Sequence, residues 1–359
     1  MVSTSAHIES QKKRILIIRP SSIGDIIMAL PMLRPLRKAY PDAYIAWLVD
    51  SEAIGLLRFN SELDEAIPWN KARWKLLWKK WHFLSLMHEV ILFSRTIRSR
   101  HFDLALDAQG LLRSRILAWL SGARERVGFK SSEPGRFLMT RIISKGPNSK
   151  RMGSEYYHMV KVLGIPPSPF IVNVVFSHRD LLQGEKVIKK TGIHDRYTVI
   201  CPFTTRPQKH WVESRWARLG VDIQEKLGLP VIILGGPADV SKGEHIRSLA
   251  HDKIVNIAGM TTIGQSAAII KKACLVIGVD TGLTHMGISF NRPTIALFGP
   301  TCPYLETENK NAVVLYETMV CSPCRRKPIC NNDFTCMKSI AIEQVFKVAE
   351  NLVKQEKKL

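Results

Sequence analysis

Three short stretches carry side chains whose types and spacing suit the chemistry of a phosphorylated ligand. Residues 280–285 read Asp-Thr-Gly-Leu-Thr-His. Asp280 and Thr281 are good helix caps, and Gly282 lets a ligand approach the backbone closely. If a helix opens there at the carboxyl end of a parallel strand, the amides around Thr281, Gly282 and Leu283 form an anion site best suited to phosphate, with His285 in the first turn able to point at the same anion. An ordinary capped turn of a βαβ unit would look the same locally. A second polar loop, residues 204–211, holds Thr204, Thr205 and Lys209. Hydroxyls, an ammonium and helix-end amides are together what a diphosphate needs, although a lone lysine is equally a solvated surface residue. The third stretch is Pro20-Ser21-Ser22-Ile23-Gly24-Asp25. Ser22 and Gly24 make a small hydroxylated turn, and Asp25 lands at the start of a helix, either as an N-cap or as an acid–base group at the carboxyl end of a strand.

The elements that must position these residues alternate along the chain. Short runs at residues 14–19, 44–49, 66–69, 103–107 and 126–129 read as strands, with helical spacing over 26–39 and up to Leu120. The pattern restarts in the second half, with strands at 197–202, 231–234, 254–257, 274–279 and 294–298 and helices at 214–227, 238–249, 262–272 and 283–289. Such β-α-β alternation predicts parallel sheets with helices on both faces. The proline-rich piece LGIPPSPF, residues 163–170, reads as a linker. The expected domains are therefore 1–167 and 168–340, with a terminal helix in 341–359 packing back on the first half. Two such halves make a cleft, and ligands in these pairs sit at strand carboxyl ends. The chain has no Gly-x-x-x-x-Gly-Lys-Ser/Thr loop, and no Gly-x-Gly-x-x-Gly follows the first strand, which lowers a P-loop enzyme and a dinucleotide dehydrogenase.

A net charge of +21 and a pI near 9.8 over 359 residues imply a polyanionic partner: nucleic acid, an anionic membrane surface or a phosphate-bearing substrate. No apolar run is long enough to span a bilayer, and the first residues lack a signal-peptide core, so a cytoplasmic protein is expected. Seven cysteines, an odd number, fit a reducing compartment. Cys321, Cys324, Cys330 and Cys336 invite a zinc reading, but their gaps fit no standard finger; free thiols and no metal are expected. In residues 71–83, KARWKLLWKKWHF, a helix would carry Trp74, Trp78 and Trp81 on one face with Lys75, Lys79 and Lys80 on the others. That composition suits a helix lying on anionic lipid, a surface for single-stranded nucleic acid, or a surface helix packing its Trp face on the domain.

Several separated motifs resemble, in order, the family 9 glycosyltransferases, the lipopolysaccharide heptosyltransferases: RILIIRPSSIGD at 14–25, Asp107-Ala108-Gln109-Gly110, TTRPQKHW at 204–211, and above all GVDTGLTHMGISFNRPTIALFGPT at 278–301. The resemblance covers about residues 13–345. It implies an α/β fold of GT-B type, two Rossmann-like domains with parallel sheets facing across a cleft. It implies an inverting transfer of L-glycero-D-manno-heptose from ADP-heptose to the Kdo/inner-core region of lipopolysaccharide, with no cofactor. Asp25 matches the family's general base. Lys209, Thr204, Thr205 and the amides at Asp280–Leu283 match its diphosphate contacts, Glu244 a ribose contact, Met260 a residue near adenine, and His285 a histidine near the phosphates or the sugar. The stretch around Arg73 resembles the branch adding the first heptose to Kdo-lipid A; the cysteine-rich tail is more like other branches. Acceptor contacts are expected from Ser22, Lys71, Arg73, Lys75 and Arg136, the last standing in for an arginine that some members carry where this chain has Ser132. An anionic acceptor met by a basic first half gives the net charge a specific use, with the enzyme held peripherally at the inner membrane.

Three rivals follow from the same residues: a later heptose addition, a GT-B enzyme for another nucleotide sugar (a transferase or an epimerase), and a basic nucleic-acid-binding protein. The last predicts salt-dependent oligonucleotide binding and no need for Asp25.

Overall fold

A computed structural model describes residues 12–147, 150–166, 172–301, 304, 306–307, 309–324 and 328–356. Among these residues the apolar runs form two six-stranded sheets, parallel throughout. The first contains β1 (Arg14–Ile18), β2 (Tyr44–Asp50), β3 (Glu65–Trp69), β4 (Leu104–Asp107), β5 (Glu125–Phe129) and β6 (Arg141–Ile143), in the order β3-β2-β1-β4-β5-β6. The second contains β7 (Thr198–Cys201), β8 (Val231–Ile233), β9 (Val255–Asn256), β10 (Leu275–Val279), β11 (Thr294–Phe298) and β12 (Ala312–Tyr316), in the order β12-β11-β10-β7-β8-β9. In each sheet the order reverses at its first strand, β1 or β7, and the crevice beyond such a switch point is where open α/β sheets bind ligands. Central strands are covered on both faces, which is why they read as unbroken apolar runs: Ile15–Ile18 and Leu275–Val279 are fully buried.

The two lobes share packing. One core of buried side chains runs from Ile15, Trp47 and Leu106 of the first sheet to Val199, Ile270 and Met286 of the second lobe. Helix to helix, the lobes meet glycine to glycine. A Cβ on Gly24 would lie 2.8 Å from His285 Cδ2, and one on Gly282 would lie 2.3 Å from Ile23 Cγ2 and 3.1 Å from the Gly24 nitrogen. Only residues without a side chain allow that approach.

Several expectations need correction. The helix expected over 26–39 starts at Ile23 and breaks into Ile23–Ala29, a 3-10 turn at Leu30–Met32, and Leu33–Ala39, because Pro31 cannot donate to the helical ladder. The Trp-rich segment is not one helix: Lys71–Lys79 ends before Trp81, whose φ of 60° belongs to a turn, and a second helix, Phe83–Arg98, follows. The three tryptophans therefore do not share one face. Strands β6 and β12 were not expected at all; both are edge strands, and Arg141–Ile143 is only three residues long. The terminal helix, Ile342–Glu356, packs on the second lobe and not on the first. Its Val345, Ala349, Leu352 and Val353 join the core built on β8, β10 and β11, and Glu356 pairs with Arg196 and Arg292 of that lobe. The expected domain boundary at 167/168 falls outside the described residues.

Candidate active site

Two strand ends bring the candidate residues together. At the end of β1, Arg19 is buried and its Nη2 lies 2.8 Å from Asp25 Oδ2. Its Nη1 donates to the Ala108 carbonyl at 2.9 Å, and its guanidinium lies over the Tyr156 ring. Asp25 is the third residue of the Ile23–Ala29 helix, and its Oδ2 accepts from the Ser22 amide at 3.1 Å and from the Ser22 hydroxyl at 2.7 Å. It is thus both a helix-end residue and a charged group held at the lobe interface. Burial alone would raise its pKa, but the Arg19 charge and the two Ser22 hydrogen bonds outweigh that and hold the carboxyl below the ordinary carboxylate range. The loop is fixed from the side as well. Gln109 donates to the Ser21 carbonyl at 2.8 Å, while the buried Asp107 accepts from the amides of Gln109 and Gly110. The Asp-Ala-Gln-Gly motif therefore acts as a brace under the Ser21–Asp25 loop.

Across the interface, at the end of β10, Asp280 is the focus of a second cluster. Lys209 Nζ is 2.5 Å from its Oδ2, the Thr301 hydroxyl donates to the same oxygen at 2.7 Å, and His285 Nε2 lies 3.3 Å from Oδ1. Burial would raise the Asp280 pKa; the hydrogen bond from His285 and the nearby Lys209 charge reverse that and hold its carboxyl far below the usual range. Lys209 is consequently not the solvated lysine its sequence context allowed. His285 is buried, and its Nδ1 is hydrogen-bonded to the Tyr304 hydroxyl. It therefore links Asp280 to Tyr304 and does not stand free in the cleft. Thr281 caps the Gly282–Ser289 helix in extended conformation without a side-chain cap bond, and the first-turn amides of a helix have no partner within it. Asp280 and Asp25 are close enough for the charge of one to raise the pKa of the other. The Gly24–Gly282 contact brings the helix that carries Asp25 against the turn at 280–283.

The remaining candidates spread out from this point. Thr204 and Thr205 lie in the loop after β7, where the Thr204 carbonyl is 2.8 Å from His210 Nε2. Met260 is 58% exposed in the loop after β9, at the carboxyl edge of the second sheet. Glu244 is also exposed, but its carboxylate is engaged by Arg247 at 2.7 Å and by the Asn256 amide at 2.8 Å. On the first lobe, Lys71 lies 3.8 Å from Asp50 and Arg73 2.9 Å from Glu89, whereas Lys75 and Arg136 are exposed. Ser22 is exposed too, with its hydroxyl committed to Asp25. Among the described residues no group of three His, Cys, Asp or Glu side chains is placed to hold a metal ion. A cavity between the helices His178–Lys190 and Ile263–Lys272 is lined by Ile188, Tyr197 and Ile269. Tyr197 precedes β7, so that cavity lies at the opposite end of the strands from the turn at 280–282.

Sequence reasoning missed Arg19, Thr301 and Tyr304. Arg19 had a signal: it is the one charged residue closing the apolar run ILIIR, and a charge at the carboxyl end of a buried strand has to face a partner. Thr301 closes the 278–301 motif, but its bond to Asp280, like that of Tyr304 to His285, forms only in the folded chain.

The model of glycosyltransferase family 9 (heptosyltransferase) matches residues 90–334. Lipopolysaccharide heptosyltransferase 1 of Salmonella typhimurium is 27% identical over 299 residues, covering 81% of this chain and 90% of that protein. Lipopolysaccharide heptosyltransferase 2 of Escherichia coli is 24% identical over 306 residues, covering 81% and 84%. Among solved structures, a family 9 glycosyltransferase of Veillonella parvula superimposes with a TM-score of 0.78 at 24% identity, covering 96% of this chain and 97% of that one. The Escherichia coli heptosyltransferase WaaC with ADP-2-deoxy-2-fluoro heptose gives 0.71 at 22% identity, covering 94% and 99%. The two facing lobes are thus the GT-B arrangement of these heptosyltransferases, and with well over half of its residues matched by the family's model, the chain belongs to glycosyltransferase family 9 and is a glycosyltransferase.

Proposed function

We propose that the protein transfers L-glycero-D-manno-heptose from ADP-heptose, with inversion, onto the Kdo/inner-core region of lipopolysaccharide, and that it makes the first such addition. The observation that carries this reading is the meeting of Asp25 with the Asp280–Leu283 turn where Gly24 abuts Gly282. The diphosphate sits on the amides of Gly282 and Leu283, with Lys209 shared between Asp280 and the phosphates and with the hydroxyls of Thr204 and Thr205 alongside. Charge developing on the departing ADP is met by donors already in place, and the reading requires no cofactor. Adenosine extends along the carboxyl edge of the second sheet toward Met260 and Glu244. Asp25 takes the proton from the acceptor hydroxyl as that oxygen attacks the anomeric carbon from the face opposite the diphosphate. Arg19 keeps Asp25 ionised and aimed, and His285 holds Asp280 from behind.

The acceptor reaches Asp25 from the first lobe, past Ser22, Lys71, Arg73, Lys75 and Arg136. Residues 12–166 hold 27 Lys and Arg against 13 Asp and Glu, so this lobe carries most of the net charge, as an anionic acceptor on the inner membrane asks. Relatives named heptosyltransferase 1 and 2 match at similar identity; the likeness around Arg73 to the first-heptose branch favours Kdo-lipid A as acceptor. Mass spectrometry of the product decides it. Incubation with ADP-heptose and Kdo-lipid A should add one heptose. Transfer only to an already heptosylated core would assign a later step, and turnover only with another nucleotide sugar would overturn the donor.

A further inference from the structure

The helical hairpin between β3 and β4 carries none of the residues assigned above to the donor. Its second helix, Phe83–Arg98, is apolar on both sides. Leu86, Val90, Phe93 and Ile97 recur at helical spacing and turn inward: Ile97 is fully buried, and Phe93 packs edge-on against Trp74 at 5.3 Å. On the outside, Leu84, Met87 and Ile91 are 79%, 56% and 43% exposed. At the tip, Trp78 and Trp81 are 63% and 78% exposed and both lean on Phe83, at 5.3 and 5.5 Å. A helix with a second apolar face left bare to solvent is one that something else covers.

We propose that this outer face is seated on an anionic lipid bilayer, with Trp78, Trp81 and Phe83 at headgroup depth and Leu84, Met87 and Ile91 reaching the acyl boundary. Charge complementarity selects the bilayer. Residues 71–100 hold eight Lys and Arg against the single acid Glu89, and Lys79 and Lys80 flank the aromatic tip without an acidic partner among the described residues. Aromatic rings beside lysines, bordering an aliphatic face, match the layering of a membrane interface. A second copy of this chain would bring the same lysines against one another. Nucleic acid would leave the aliphatic Leu84, Met87 and Ile91 with no base to stack on.

The placement has a consequence for the site. The hairpin leaves the first sheet at the carboxyl end of β3, where Lys71 faces Asp50 at the end of β2, the same edge that carries Asp25 beyond β1. The tip that enters the headgroups is therefore on the acceptor side of the cleft. This rests on the reading that the acceptor is lipid-borne, but it is tested apart from it.

The test is flotation of the full-length protein with vesicles of phosphatidylethanolamine and phosphatidylglycerol, against vesicles of phosphatidylcholine alone. The wild type should float with the anionic vesicles and lose binding as salt rises. The triple variant Leu84→Glu, Met87→Glu, Ile91→Glu should bind them on the order of 100-fold more weakly, with an unchanged Tm and unchanged ADP affinity. The milder Trp81→Ser should weaken binding several-fold. Equal flotation of wild type and triple variant would overturn the proposal. So would a wild-type dimer that the triple variant dissolves, or oligonucleotide binding that it abolishes. A wild type that floats but transfers no heptose would sink the function and leave the docking surface standing.

Discussion

At the scale of single residues the site depends on two carboxylates, each kept ionised by a cation: Asp25 has Arg19, and Asp280 has Lys209, with a hydrogen bond from His285 beside it. Their depressed pKa values fix the sign of the pH behaviour: what each pair contributes to stability is present above the ordinary carboxylate range, near pH 4, and is lost as pH falls through the lowered folded-state value. Asp25 accordingly stays a base down to unusually acid pH. In Arg19→Met, burial and the Asp280 charge are opposed by Ser22 alone, so the acid limb of the kcat/KM profile should move to higher pH; an unmoved limb would show that Arg19 does not set the base. Lys209→Met removes a charged hydrogen bond worth about 1.5–3 kcal/mol. ADP affinity by calorimetry should therefore fall by about 10- to 150-fold, and full retention would remove Lys209 from the diphosphate site. The types and order of these residues were legible in the sequence. Their partners were not, because Arg19 with Asp25 and Lys209 with Asp280 are contacts that close only when separate strand ends converge.

At the scale of elements, the chain's alternation revealed the parallel sheets but not their edges. β6 and β12 are edge strands, and Arg141–Ile143 in particular lacks the long apolar run that marks a buried strand. The helix Phe83–Arg98 escaped notice because it is apolar on two faces and so shows no single stripe. The terminal helix was assigned to the wrong lobe: its periodic apolar face states that it packs, not where. The closest demand on backbone is at the Gly24–Gly282 contact. Gly282→Ala puts a methyl against Ile23, and the two lobes have to part. Overpacking of this kind costs about 1–3 kcal/mol. The variant should show a Tm lowered by a few degrees and a transfer rate reduced at least tenfold, while a wild-type rate would mean that the lobes need not approach so closely.

At the scale of the whole molecule, the lobes share one apolar core across their interface, so heat should unfold them in a single calorimetric transition, and two separated transitions would contradict the shared packing. Because the donor site lies at that interface, ADP should raise the midpoint; at 100 times Kd, ligand binding adds about 2.7 kcal/mol. The fold, the family and the location of the cleft could all be read from four separated motifs. Which acceptor enters could not, since the lysines and arginines that would meet it sit on surface positions tied to no pattern. The account stands or falls on Asp25 as the base facing a donor held by the other lobe. The direct test is Asp25→Asn, measured for heptose transfer to Kdo-lipid A and, in parallel, for ADP binding by calorimetry. Transfer should fall on the order of 10³-fold with ADP affinity unchanged; a variant that turns over within a few-fold of wild type would contradict the account.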